Sequence, residues 1–188
     1  MTLMQMGIYF DQTRCMGCYT CVVACKDWHD IPAGPASWKR VLTIEKGEYP
    51  HLFVAFFSTS CYHCADPECI AVCPANALSK RENDGIVIVN KEDCLGKETC
   101  GMCLQSCPYN APQFGAEANA KMQKCDLCFE RLEQGLKPIC VEACPLFALD
   151  AGPLEEIEEK YGKKTCAKGF HHSKKLRPSI VFKPRLKS

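Results

Sequence analysis

The chain has 188 residues, and 17 of them are cysteine, far above ordinary usage. Lys and Arg total 23 against 22 Asp and Glu, a formal charge of +1, which argues against nucleic-acid binding through a basic surface. Hydrophobic residues make up 47%, but that share includes the cysteines, so the ordinary apolar core is modest for this length.

Residues 7–10 read as a first short strand. A first cysteine group follows, Cys15, Cys18, Cys21 and Cys25, spaced C-x2-C-x2-C-x3-C. Residues 19–29 read as a short helix, and 31–37, with two prolines and a glycine, as a loop. Residues 53–57 are a second strand. Next comes Cys61, Cys64, Cys69 and Cys73, spaced C-x2-C-x4-C-x3-C. The turn-like Asn83-Asp84-Gly85 leads into a β-branched strand over 86–89. A third group is Cys94, Cys100, Cys103 and Cys107, spaced C-x5-C-x2-C-x3-C. The fourth is Cys125, Cys128, Cys140 and Cys144, spaced C-x2-C-x11-C-x3-C, with a helical stretch over 129–134. Residues 154–165 form a solvated helix. The basic tail, 168–187, wraps over a surface or partner and carries a late strand at 180–182. Strand, ligand loop, helix and strand in repetition describe an α+β, ferredoxin-like chain.

The four groups are one small unit repeated. Each ends in an x3 gap, and in three of four the last cysteine precedes proline: Pro74, Pro108 and Pro145. In the first group Lys26 takes that place. Three chemistries compete for such cysteines: disulfides, zinc and iron–sulfur clusters. Residues 1–7 show neither the basic n-region nor the apolar h-region of an export signal, no twin-Arg pair is present, and the cysteine count is odd, so a disulfide scaffold is not expected. The longest apolar run, 52–57, is far short of the about twenty residues of a membrane span. Zinc sites join two C-x2-C knuckles across a longer stretch, a pattern only the fourth group approaches. Three close thiolates that curl over a cubane, with a fourth about one helical turn away, fit an iron–sulfur cluster. In two-cluster ferredoxins that fourth cysteine ligates the other cluster.

Specific strings carry a family resemblance. Asp11-Gln12-Thr13-Arg14-Cys15 opens the first group, Cys61-Tyr62-His63-Cys64 the second, and Lys124-Cys125-Asp126-Leu127-Cys128 the fourth. With Cys107-Pro108-Tyr109-Asn110-Ala111-Pro112, Lys137-Pro138-Ile139-Cys140 and the closing Arg177-Pro178-Ser179-Ile180-Val181-Phe182, they resemble the iron–sulfur subunit of the dimethyl sulfoxide reductase family over nearly the whole chain. One departure stands out. Lys97-Glu98-Thr99 lengthens the first gap of the third group, which enlarges that loop and leaves the role of Cys100 less defined.

The resemblance implies four [4Fe–4S] clusters in two ferredoxin-like modules, one nested within the other. One cluster would take Cys15, Cys18, Cys21 and Cys144, and its partner Cys125, Cys128, Cys140 and Cys25. The inner pair would take Cys61, Cys64, Cys69 and Cys107, then Cys94, Cys100, Cys103 and Cys73. The implied organisation is 1–58 and 120–150 for the outer module, 59–119 for the inner, and 151–188 for a C-terminal helix and basic tail. Spacing alone does not choose between nested and sequential pairing. Four such clusters would bring the loaded chain to about −7, each thiolate-bound site adding about −2.

Function follows from that chemistry. All-cysteine sites leave no iron position open to substrate and support one-electron transfer. No catalytic constellation and no phosphate-binding glycine loop is evident. The backbone near Gly17, Gly96 and Gly101 is a candidate for tuning cluster sulfurs. His63 either donates to a cluster sulfur or is an exposed loop histidine. His171 and His172 read as solvated, Trp28, Trp38 and 53–57 as core or partner-facing aromatics, and Cys166 as a free thiol. The expected protein is a non-catalytic relay subunit. Its implied partners are a large molybdenum or tungsten bis-pterin catalytic subunit and a membrane quinone-reactive subunit. A free-standing polyferredoxin and a zinc-stabilised interaction module are the alternatives. Assembly belongs in the cytoplasm, and export in folded form with a twin-Arg-bearing partner stays open.

Overall fold

Every residue of the first strand, β1 (Met6–Asp11), is buried. The reason is its central place in a three-stranded sheet, covered on both faces. A computed structural model, which describes residues 4–186, pairs β1 antiparallel with β6 (Leu149–Pro153), in register from Met6 with Pro153 to Phe10 with Leu149. On its other side β1 runs parallel to β7 (Ile180–Lys183), Ile8 opposite Ile180. Met6, Ile8 and Phe10 point into the main core with Phe57, Leu149 and Phe182. Tyr9 points to the opposite face, where α6 (Leu154–Tyr161) places Ile157 and stacks the Tyr161 ring on Tyr9 at 3.7 Å between centroids.

Two antiparallel pairs complete the sheets. β2 (Arg40–Lys46) pairs with β3 (Phe53–Thr59) from Arg40–Thr59 to Lys46–Phe53. β4 (Leu78–Lys80) pairs with β5 (Val87–Val89). The turn between β4 and β5 is closed where Asp84 Oδ1 accepts the Ile86 N–H at 3.0 Å and Gly85 takes φ +69°. Ile86 is buried but lies outside the strand it was expected to begin.

The helices follow the cysteine repeat. α1 (Thr20–Trp28) carries Cys21 and Cys25, α2 (Glu68–Ala71) Cys69, α3 (Met102–Ser106) Cys103 and α5 (Ile139–Glu142) Cys140. α4 (Phe129–Glu133) follows Cys128. In the three groups with Cys-Pro, the helix stops after four or five residues, because the residue before proline is driven out of the α region. Lys26 imposes no such stop, and α1 runs on to Trp28. Past each Cys-Pro, the third residue bonds back to the cysteine carbonyl in a left-handed conformation: Asn76, Asn110 and Phe147, at φ 49°, 49° and 50°. α1 packs on α5, and α2 on α3. No described helix is long and apolar enough to cross a membrane.

The observed arrangement is a mixed α/β chain of small sheets and short helices. Three of its strands carry no clear local signal. β6 is Leu-Asp-Ala-Gly-Pro, poor strand chemistry that is held extended by β1. β2 buries only Val41, and β4 is three residues long. The helix expected over 154–165 ends at Tyr161, because Gly162 takes φ +85°. The basic tail lies on the protein itself. The buried amide of Gln12 binds the Lys168 carbonyl through Nε2 at 2.9 Å, and its Oε1 accepts the Lys168 and Arg185 N–H groups. Farther along, Arg177 pairs with Asp66 at 2.5 Å, and β7 extends the sheet.

Asp150 ties β6 to α6. Its Oδ1 accepts Lys137 Nζ at 2.9 Å and its own neighbour's Ala151 N–H at 2.8 Å. Its Oδ2 accepts the Tyr161 hydroxyl at 2.7 Å and Lys160 Nζ at 3.1 Å. Burial alone would raise its pKa, but these donors outweigh burial and hold it at about 2. That lies below the about 3.9 of an unfolded aspartate, so the carboxylate stabilises the fold above about pH 4 and loses its contribution as pH falls toward 2. Asp150→Asn is expected to cost about 1–2 kcal/mol at pH 7, the partly exposed lysines being screened. Thermal melts of the two proteins should converge between pH 4 and 2.

Candidate iron–sulfur centres

The ligand loops share one backbone device. Two residues after the first cysteine of each group the chain is left-handed: Gly17 at φ 72°, His63 at 43°, Gly96 at 94° and Leu127 at 59°. In two of the four groups this turn aims an N–H back at the first sulfur. Leu127 N–H lies 3.4 Å from Cys125 Sγ, and the Gly17 N–H likewise hydrogen-bonds Cys15. At Gly17 a Cβ would sit 2.5 Å from the Phe56 ring, so conformation and space both require glycine there. Gly101, at φ 68°, opens α3 beside Cys100.

The fold gathers the sixteen grouped cysteines into four sets. Cys15, Cys18 and Cys21 line one cavity with Cys144, among Phe10, Val41 and Leu149. Cys125, Cys128 and Cys140 line a second with Cys25. Cys94, Cys100 and Cys103 line a third with Cys73, against Phe114 and Met122. Cys61, Cys64, Cys69 and Cys107 are mutual electrostatic neighbours. In each set three cysteines come from one group and the fourth from another.

The longer third loop does not displace Cys100. Asn119 Oδ1 accepts the Glu98 and Thr99 N–H groups at 3.2 and 3.3 Å, its Nδ2 donates to the Leu95 carbonyl, and Lys97 N–H bonds the Ala120 carbonyl. The extra residues are thus fastened to the 119–120 segment.

The donor chemistry fits an iron–sulfur cluster. Burial, reinforced by neighbouring sulfurs, pushes the Cys25, Cys64, Cys69 and Cys128 thiols up to about 12 and Cys103 up to about 11. Four thiolates cannot coexist in such a space unless a cationic core neutralises them. The exposed Cys18 is the exception, held low by the Thr20 hydroxyl at 3.4 Å and by the Thr20 N–H. Backbone N–H groups also reach Cys144 Sγ, from Ala148 at 3.3 Å, and Cys94 Sγ, from Met122 at 3.4 Å.

His63 is not an exposed loop histidine, since only 1% of it reaches solvent. Its Nδ1 accepts the Val87 N–H at 3.0 Å, which places the ring proton on Nε2. Among the described residues, that Nε2 is the buried side-chain polar atom left without a partner. An unmet buried donor on the residue between Cys61 and Cys64 in the chain is of the kind a sulfur-rich acceptor satisfies.

Other singled-out residues fall in ordinary places. Trp38 is buried and donates to Gln123 Oε1 at 2.9 Å, while Trp28 lies half open under the Arg131 guanidinium at 4.5 Å. His171 is exposed, and His172 meets the Phe170 ring edge. Cys166 is an exposed free thiol. No sequence motif pointed to His29, whose Nε2 lies 3.2 Å from Cys128 Sγ, 99 residues away. Burial lowers its pKa, so the neutral ring can donate to that sulfur. The Asp126 carboxylate, 3.6 Å away, completes the group.

A family profile described as a 4Fe-4S dicluster domain matches residues 52–153, which hold three of the four cysteine groups. The chain belongs to that family. It is 41% identical over 192 residues to a component of the anaerobic dimethyl sulfoxide reductase of Escherichia coli, covering 98% of this chain and 91% of the relative. It is 36% identical over 176 residues to a component of the sulfite dehydrogenase of Allochromatium vinosum, covering 83% and 72%. Within the family, then, it is an iron–sulfur electron-transfer subunit of the dimethyl sulfoxide reductase type.

Proposed function

We propose that the four cysteine sets hold four [4Fe–4S] clusters, arranged as two ferredoxin-like modules with the inner one inserted into the outer. The carrying observation is the exchange of fourth cysteines: Cys144 lies with Cys15, Cys18 and Cys21, and Cys25 with Cys125, Cys128 and Cys140. The pairing of β1 with β6 supports nesting, since it joins the two ends of the outer module across everything between them.

Electrostatic contacts between sets give the relay an order. Cys140 lies near Cys21, Cys125 near Cys61, and Cys69 near Cys103. The four sets thus run in a line: that of Cys15, that of Cys125, that of Cys61, that of Cys94. When bound, each cluster supplies one-electron chemistry. The protein's part is to saturate the iron with thiolate, exclude water with the apolar walls, and donate N–H groups to sulfur.

The chain then serves as a non-catalytic relay. At one end stands a large molybdenum or tungsten bis-pterin catalytic subunit, and at the other a quinone-reactive membrane subunit. The expected protein is brown and bleaches under dithionite, with about sixteen irons per chain. Copurification with a large pterin subunit supports the complex. A stable monomer with reversible potentials indicates a free-standing polyferredoxin instead. A colourless protein with stoichiometric zinc overturns the proposal.

A further inference from the structure

Lys39 stands just before β2 and is 3% exposed. Its surroundings differ from those of the other lysines with described contacts. Lys137, Lys160, Lys163, Lys175 and Lys183 pair with carboxylates. Lys26, Lys80, Lys121 and Lys124 donate to backbone carbonyls. Among the described residues Lys39 has no carboxylate at ion-pair distance.

What it faces is sulfur. The side chain lines the cavity of Cys25, Cys125, Cys128 and Cys140. Cys140, Cys21, Cys125 and Cys25 are its sulfur neighbours, and two residues on Val41 lines the cavity of Cys15, Cys18, Cys21 and Cys144. Three of those sulfurs belong to the set of Cys125, and Cys21 belongs to the set of Cys15. The lysine therefore stands where two sets approach. A buried ammonium without an anion is strongly disfavoured, so its counter-charge has to be the thiolate-bound centres themselves.

We propose that Lys39 is the shared counter-cation of the two clusters of the outer module, a positioning residue that makes both easier to reduce. This rests on the four-cluster reading. The redox step adds one electron and moves no proton, so each reduced centre gains negative charge next to a fixed positive one. The cysteines of the inner sets, of Cys61 and Cys94, do not line the Lys39 cavity, and those sets draw no such benefit.

The test is a potentiometric titration monitored by EPR on the intact, loaded protein, comparing wild type with Lys39→Met, Lys39→Gln and Lys39→Arg. In both neutral variants two clusters are expected to become about tenfold harder to reduce, about 59 mV for a one-electron couple. The other two should keep their potentials, and Lys39→Arg should stay close to wild type. The two affected signals are assigned by their loss in Cys18→Ser and Cys128→Ser. Unchanged potentials in a fully loaded neutral variant overturn the proposal, as does a shift common to all four clusters. If neither neutral variant loads, pulsed EPR of wild type labelled with ¹⁵N-lysine decides. A lysine ¹⁵N coupling on an outer cluster, missing from Lys39→Arg, supports the proposal, and no such coupling overturns it. Wild-type protein without iron would instead mark failure of the cluster reading.

Discussion

Replacing Cys144 by serine is expected to damage the cluster of Cys15, Cys18 and Cys21, although Cys144 belongs by sequence to the group of Cys125. The thiol lines the first cavity, where Ala148 N–H donates to it, and α5 turns it there because Pro145 ends the helix. Serine is a poor replacement, since its harder, less acidic oxygen binds iron less readily than thiolate does. The EPR signal lost in Cys144→Ser should match the one lost in Cys18→Ser, and iron should fall from about sixteen toward about twelve per chain. If Cys144→Ser and Cys128→Ser instead erase the same signal, the crossed assignment is wrong. The reciprocal variant, Cys25→Ser, should share its lost signal with Cys128→Ser.

Stripping the iron should produce the largest effect of all, loss of the native fold. The local elements cannot stand alone. α2, α3, α4 and α5 have four or five residues each, well below the length at which an isolated helix holds in water. The β4–β5 pair has three residue pairs. Partly buried cysteines are also part of the apolar clusters: Cys15, Cys140 and Cys144 pack on the main core, and Cys69, Cys73, Cys94 and Cys103 on the second. Without a cationic centre, the thiols become protonated groups around four sulfur-lined spaces, and the metal-binding free energy that offset the chain entropy is gone. Near-ultraviolet circular dichroism should flatten, and amide exchange should lose protection around all four loops. A cooperative thermal transition surviving complete iron removal would contradict this view.

Much of the site was legible because it is written in local spacing. The x3 gap and the proline after it announced a short helical turn that ends at the ligand, and the structure ends α2, α3 and α5 there. Gly17 and Gly96 pointed to unusual backbone. Their reason is left-handed conformation, and the same conformation falls on His63 and Leu127, where no residue type signalled it. His63 offers the clearest limit. Its place between two cysteines allowed two readings, and only the partners brought in by β5 put it in the interior.

The strand errors have the same cause. β1, β3 and β7 carry enough apolar or β-branched side chains to be read locally. β6 carries Asp, Gly and Pro, and becomes a strand only because β1 offers it an unpaired edge. The polar residues Gln12 and His29 were likewise silent, since their partners lie 44 to 173 residues away, and so was Lys39, whose cavity joins Cys25 of the first group to Cys125, Cys128 and Cys140 of the fourth.

By itself the sequence determined the chemistry of this protein: sixteen cysteines in four repeated runs, of a spacing that suits compact metal–sulfur centres. Ligand type and loop shape are local properties, fixed by residues three or four apart. The tertiary structure alone decided which sulfurs meet and brought Lys39 and His29 beside them. Those are properties of distance across the fold, set by β1 closing on β6 and by helices packing in pairs.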